Sequence, residues 1–250
     1  MYIFPSNPQF SFTETCVLPY QTYEHDVVTV LDFVKNLFSK YFDNVNQFPL
    51  KVVNVYPHKD YPMTVYEEQT IFLSVSPYDS NGEPGCYWAQ IIYQFSHEFC
   101  HYMNYGHTVQ SMRWFEETLC ELASHFFLLK SAEEWKISPP FSGCNNYSHS
   151  LLVYELNTRN DIAQFNLNKL SDANSAQLLS LQKHEYQRSK NRYMALQLLP
   201  LFEAKPSLWK IVPELVNLPV SNSFAQNLSE LENKSKEDIS CIKKLFGLEP

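Results

Sequence analysis

From Tyr87 to Met103 the chain runs seventeen residues with neither proline nor glycine: Tyr-Trp-Ala-Gln-Ile-Ile-Tyr-Gln-Phe-Ser-His-Glu-Phe-Cys-His-Tyr-Met. Apolar side chains lie on nearly every face of the helix this run would form, which predicts a buried helix rather than a surface one. It should stop at Asn104-Tyr105-Gly106, since Asn and Gly tolerate the left-handed cap. Any fold for this chain must therefore be built around one buried helix, and that helix carries Ser96-His97-Glu98-Phe99-Cys100-His101.

The surroundings of this helix are mixed. Residues 26–42 carry apolar side chains at helical spacing, and Leu50–Tyr56 and Thr70–Ser76 read as strands. A second helix is expected from about Ser111, as N-cap, to Lys130. Pro139-Pro140 and residues 143–146 mark a loop, and beyond about Ser150 the chain reads as helices punctuated by Pro200, Pro206, Pro213 and Pro219. The last helix should begin near Ser235, with Glu237 and Asp238 in its first turn and Lys243 and Lys244 near its end, as the helix dipole favours. The expected organisation is a core over residues 1–145 and a helical C-terminal subdomain over 146–250.

Composition excludes several functions. With 19 Lys+Arg against 27 Asp+Glu the formal charge is -8, so there is no net attraction for phosphate backbones or anionic lipid, and neither nucleic acid nor membrane is expected as a partner. The five glycines, at 82, 85, 106, 143 and 247, cannot build a GxGxxG or GxxxxGK phosphate cradle. No stretch reaches 18 uninterrupted apolar residues. Cysteines 16, 86, 100, 120, 144 and 241 form no CxxC pair, and the first residues lack a cationic segment followed by an apolar run. Reduced thiols and a cytoplasmic setting are expected.

The chemistry concentrates in HExxH. Residues four apart on a helix share a face, so His97 and His101 can converge on one metal ion. Glu98 sits about 100° further round, beside the ion and not on it, where it can take a proton from a water activated by zinc. A third ligand is needed. On the second helix, Arg113-Trp114-Phe115-Glu116-Glu117-Thr118-Leu119-Cys120-Glu121 places Glu117 and Glu121 four apart on one face. One can ligate while the other accepts the spare N–H of a ligating His and fixes its tautomer. Glu116 points off that face and is expected as a solvated first-turn acid.

With these residues the chain resembles the gluzincins, the zinc metallopeptidases that include thermolysin and the aminopeptidase N relatives. Their second helix reads approximately Trp-x-x-Glu-Gly-x-Ala, and its Glu is the third zinc ligand. The resemblance implies Glu117 as that ligand and Glu121 as the carboxylate behind it, with Thr118 where the family has glycine. Fifteen residues separate His101 from Glu117, a shorter interval than in the best-known branches; nineteen separate it from Glu121, which stays a candidate. A different ligand, His107, completes HExxHxxNxxH, one residue from the metzincin pattern, with Asn104 in place of its turn glycine. Met112 lies too close to His107, and Met194 sits in a helical stretch, so neither suits the methionine turn that metzincins require.

The resemblance implies an α+β, zincin-like fold, Zn2+ held by His97, His101 and Glu117, Glu98 as general base, and a peptide or protein as substrate. It also implies that Thr70–Ser76 is the sheet edge that pairs with substrate. The aminopeptidase motif Gly-x-Met-Glu-Asn is missing, the nearest run being Asn81-Gly82-Glu83-Pro84-Gly85, which leans toward an endopeptidase or processing enzyme. Tyr154, Tyr186, Tyr193 and His149 are candidates to face an oxyanion. His125 reads as structural, and Cys100 and Cys120 as small buried hydrophobes. The alternatives are a metzincin-like peptidase using His107, a catalytically inactive zincin-fold binding protein, or a core His/Glu network holding no metal.

Overall fold

Val27, Val30, Leu31, Val34, Leu37 and Phe38 recur three and four apart and lie buried along one face of the first helix, α1 (Glu24–Phe38). The computed structural model in which this is seen describes residues 9–12, 24–43, 45, 50–56, 61–76, 87–220 and 223–249. Around α1 lie the strands β1 (Gln9–Phe12), β2 (Lys51–Asn54), β3 (Met63–Val65) and β4 (Thr70–Leu73). They form one mixed sheet in the order β1-β2-β4-β3. The first two pairings are parallel, and β3 runs antiparallel to β4 at the edge. The chain is thus α+β: a small sheet in a mostly helical molecule.

The helices that follow are α2 (Trp88–Met103), α3 (Arg113–Ile137), α4 (Tyr147–Thr158), α5 (Ala176–Lys183), α6 (Arg188–Ala204), α7 (Phe224–Ser235) and α8 (Ser240–Leu245). A long 3-10 segment, Pro206–Asn217, links α6 to α7. The chain divides into two compact units, Met1–Tyr102 with Phe127–Thr158 and Met103–Phe126 with Arg159–Pro250. The expected boundary at 145/146 falls within the first of these.

In the first unit, side chains extend the sheet where backbone pairing stops. Asn54, at the end of β2, donates to Val75 O and accepts from Val75 N, both at 3.0 Å, as a further strand residue would. Gln94 of α2 does the same at the end of β4, accepting from Ser74 N at 2.9 Å and donating to Ser74 O at 2.8 Å. The Gln94 pair fixes the height of α2 on the sheet. Below it, Phe38 stacks on Phe127 with ring centroids 3.6 Å apart and meets Phe99 edge-on at 5.0 Å. The second unit has its own aromatic core, where Trp114 and Phe115 pack against Phe224 and Phe246.

Several boundaries differ from expectation. Ser111 does not cap α3: it lies in a 3-10 turn, Gln110–Met112, and α3 starts at Arg113 and runs on to Ile137. Pro200 sits inside α6 instead of ending a helix. The final helix begins at Ser240, because Lys236 takes a left-handed conformation (φ 58°) that ends α7. Thr70–Ser76 supplies β4, an inner strand flanked by β2 and β3, so among the described residues the sheet edge on that side is β3. Cys16, Cys86 and the run Asn81–Gly85 lie outside the described residues. No helix among the described residues is long and apolar enough to cross a membrane.

Candidate metal centre

α2 is buried on all sides but one. From Gln90 onward its half-buried positions are Gln90, Tyr93, Gln94, His97 and His101, a single stripe at helical spacing. HExxH therefore presents both imidazoles on the one accessible face of a helix whose other faces are core. Their rings lie 5.1 Å apart between centroids. Glu117 is also half-buried, and one donor atom from each of His97, His101 and Glu117 falls within 4.8 Å of the others. Among the described residues this is the one group of three or more His, Cys, Asp or Glu side chains so gathered. Two imidazoles and a carboxylate are a donor set suited to zinc, with a fourth position left open.

Glu98 lies beside the stripe and is 4% exposed. The Thr64 hydroxyl of β3 lies 2.8 Å from the Glu98 carboxylate Oε2 and 2.9 Å from the Glu98 backbone carbonyl, so its one proton is shared between the two acceptors. Tyr66, the first residue after β3, donates from its phenol to the His101 carbonyl at 3.0 Å. The sheet edge thus holds the HExxH turn by two hydroxyl links.

The other candidates have different places. Glu121 is buried and accepts from Arg192 Nε of α6 at 2.6 Å, so its charge is met by a guanidinium; it is not in the three-residue group. His125, one turn on and fully buried, has Nε2 3.8 Å from Glu121 Oε1. His107 is exposed and outside the group. Asn104 does not make the expected left-handed cap, which Tyr105 makes instead (φ 59°). Asn104 is buried, its amide nitrogen sharing two protons among Gly106 O, Thr108 Oγ1 and Glu116 Oε1 and its oxygen accepting from Val216 N. Glu116 is accordingly not a solvated acid: Asn104 draws it inward, and it is buried. Burial pushes the Tyr105 phenol up to about 12.

Thr118 is fully buried, with its hydroxyl turned back to Trp114 O at 2.8 Å. Cys100 and Cys120 are buried thiols. Of the four oxyanion candidates, Tyr154 packs on Tyr93, one turn before His97 on the accessible stripe, with centroids 6.0 Å apart. Tyr186 and His149 are exposed, and Tyr193 packs on Phe165. Sequence reasoning missed Thr64, Tyr66 and Arg192. The β-branched pair Thr64-Val65 after Pro62 was the available signal for a strand there.

Compared with family models, curated proteins and solved structures, the chain matches none of them.

Proposed function

We propose that this protein is a zinc-dependent metallopeptidase of gluzincin type with a zincin-like core. The observation that carries this reading is the gathering of His97, His101 and Glu117 within 4.8 Å, beside a Glu98 that follows the first His directly. The three side chains would hold the ion, His97 and His101 through imidazole nitrogen and Glu117 through a carboxylate oxygen. A zinc ion bound there supplies Lewis acidity, lowering the pKa of a water toward 7 and polarising a peptide carbonyl.

The rest is done by the chain. Glu98 accepts the proton that the attacking water gives up and returns it to the departing amine, so one carboxylate serves as base and then acid. Its place one residue along the helix from a ligand keeps it near the water without competing for the ion. The exposed position of His107 supports Glu117 as third ligand over the metzincin alternative. Peptides or proteins are the substrates.

The test is hydrolysis of a mixed peptide library, read by mass spectrometry, with Glu98→Gln beside the wild type. The expected result is cleavage by wild type and a loss of about 10²- to 10⁴-fold in Glu98→Gln, with zinc content equal in both. Full hydrolysis by Glu98→Gln would refute the mechanism. Zinc bound by a wild type that cleaves nothing would instead identify a non-catalytic zinc protein.

A further inference from the structure

We infer that Thr64 is the positioning residue of Glu98, holding its carboxylate in one orientation for the proton exchange with the water. This rests on the metallopeptidase reading above. The observation is that the Thr64 hydroxyl meets Glu98 twice, at Oε2 (2.8 Å) and at the backbone carbonyl (2.9 Å). A glutamate has three side-chain torsions, and its last is broad and weakly preferred, so a base on a helix face is not aimed by its rotamer alone. A single hydroxyl whose proton is shared between the two ends of the residue favours the torsions that keep both within its reach. The threonine is itself stiff at χ1, and it sits on a strand, which keeps the hydroxyl in place.

β3 is in turn fixed against α2 one step further along. Tyr66 bonds the His101 carbonyl, so the strand edge cannot slide along the helix without breaking both links. Sheet and helix together thus set where the base points, in the way that a catalytic group is held by its neighbours. Thr64 passes no proton to substrate; it acts through Glu98.

The experiment uses the full chain and four variants: Thr64→Val, Thr64→Ser, Glu98→Ala and the double Thr64→Val/Glu98→Ala. Valine keeps the shape and removes the hydroxyl, whereas serine keeps the hydroxyl. In zinc-loaded protein, Thr64→Val is expected to lower kcat by about 10- to 100-fold with KM within about twofold and zinc content unchanged. Thr64→Ser should recover most of kcat. In metal-free protein, thermal unfolding of the four-member cycle should be non-additive, with Thr64→Val shifting Tm less when residue 98 is alanine. An unchanged kcat in Thr64→Val, a loss that falls on KM or that serine does not restore, or additive Tm shifts would each overturn the role. Those outcomes, in a wild type that cleaves peptides through Glu98, leave the peptidase reading standing. A zinc-loaded wild type without Glu98-dependent cleavage removes that reading and this role with it.

Discussion

Arg192 bears directly on what Glu121 is for. A carboxylate at 5% exposure with a guanidinium nitrogen 2.6 Å away is one half of a buried ion pair. Removing the guanidinium leaves a charge in a low-dielectric surrounding with its main counter-charge gone. Arg192→Met should therefore cost about 3–5 kcal/mol, measured by urea unfolding, and Arg192→Met/Glu121→Leu should recover most of it. A loss below about 1 kcal/mol in the single variant would contradict this. The pair also shows what residue spacing could and could not disclose. His97 and His101 were legible together because helical periodicity puts them on one face, whereas it left Glu117 and Glu121 both open and only the family resemblance preferred Glu117. Arg192 was not legible, since it lies 71 positions from Glu121, and Thr64 was not, since it lies 34 positions from Glu98. Nothing local marks such partners. Glu116 and Asn104 were misjudged for the same reason: each has its place decided by a side-chain bond across the turn between two helices.

At the scale of elements, the link between α2 and α3 carries the most constraint for its length. Tyr105 occupies a left-handed conformation that a β-carbon disfavours, with its ring partly buried. Gly106 next to it is required by space and not by its backbone angles: a Cβ there would lie 2.9 Å from Val216 Cγ2. Valine is stiff at χ1, so the clash is not relieved by a simple rotation. Gly106→Ala should destabilise by about 1–3 kcal/mol, and adding Val216→Ala should restore part of the loss; equal stability of Gly106→Ala and wild type would show that the 3-10 segment yields easily.

The same scale explains which elements the sequence revealed. α1, α2, β2 and β4 have strong apolar patterns and were foreseen, with shorter strands than expected. β3 has three residues, all half-buried, too short and too evenly exposed for alternation to show. It is nevertheless the sheet edge and the carrier of Thr64. The start of α3 was misplaced because a 3-10 turn precedes it, and Ser111 in that turn resembles a cap without serving as one.

For the molecule as a whole, charge placement predicts how stability responds to pH. The Glu232 carboxyl is lowered by its hydrogen bond from Lys243 and by Ile239 N, and that of Glu237 by Ser207 and then Lys210. Asp238 is lowered by bonds from Ser240. Groups lowered on folding stabilise above their unfolded pKa, and that contribution is lost as pH falls through the folded one. Tyr105 has the opposite sign: raised on folding, it contributes fully below about pH 10, and the contribution is lost as pH climbs toward about 12. Tm measured across pH should accordingly decline on both sides, below the ordinary glutamate range and above pH 10. Tyr105→Phe should flatten the alkaline side only. An alkaline decline of the same size in Tyr105→Phe would assign it to other groups.

The most direct test is the metal content of chelator-free protein by elemental mass spectrometry, with Glu117→Ala and His107→Ala beside the wild type. The proposed site requires one zinc per chain in the wild type, lost in Glu117→Ala and kept in His107→Ala. Loss in His107→Ala with retention in Glu117→Ala would contradict the ligand set, and no zinc in the wild type even after zinc is added back would contradict the metal centre itself.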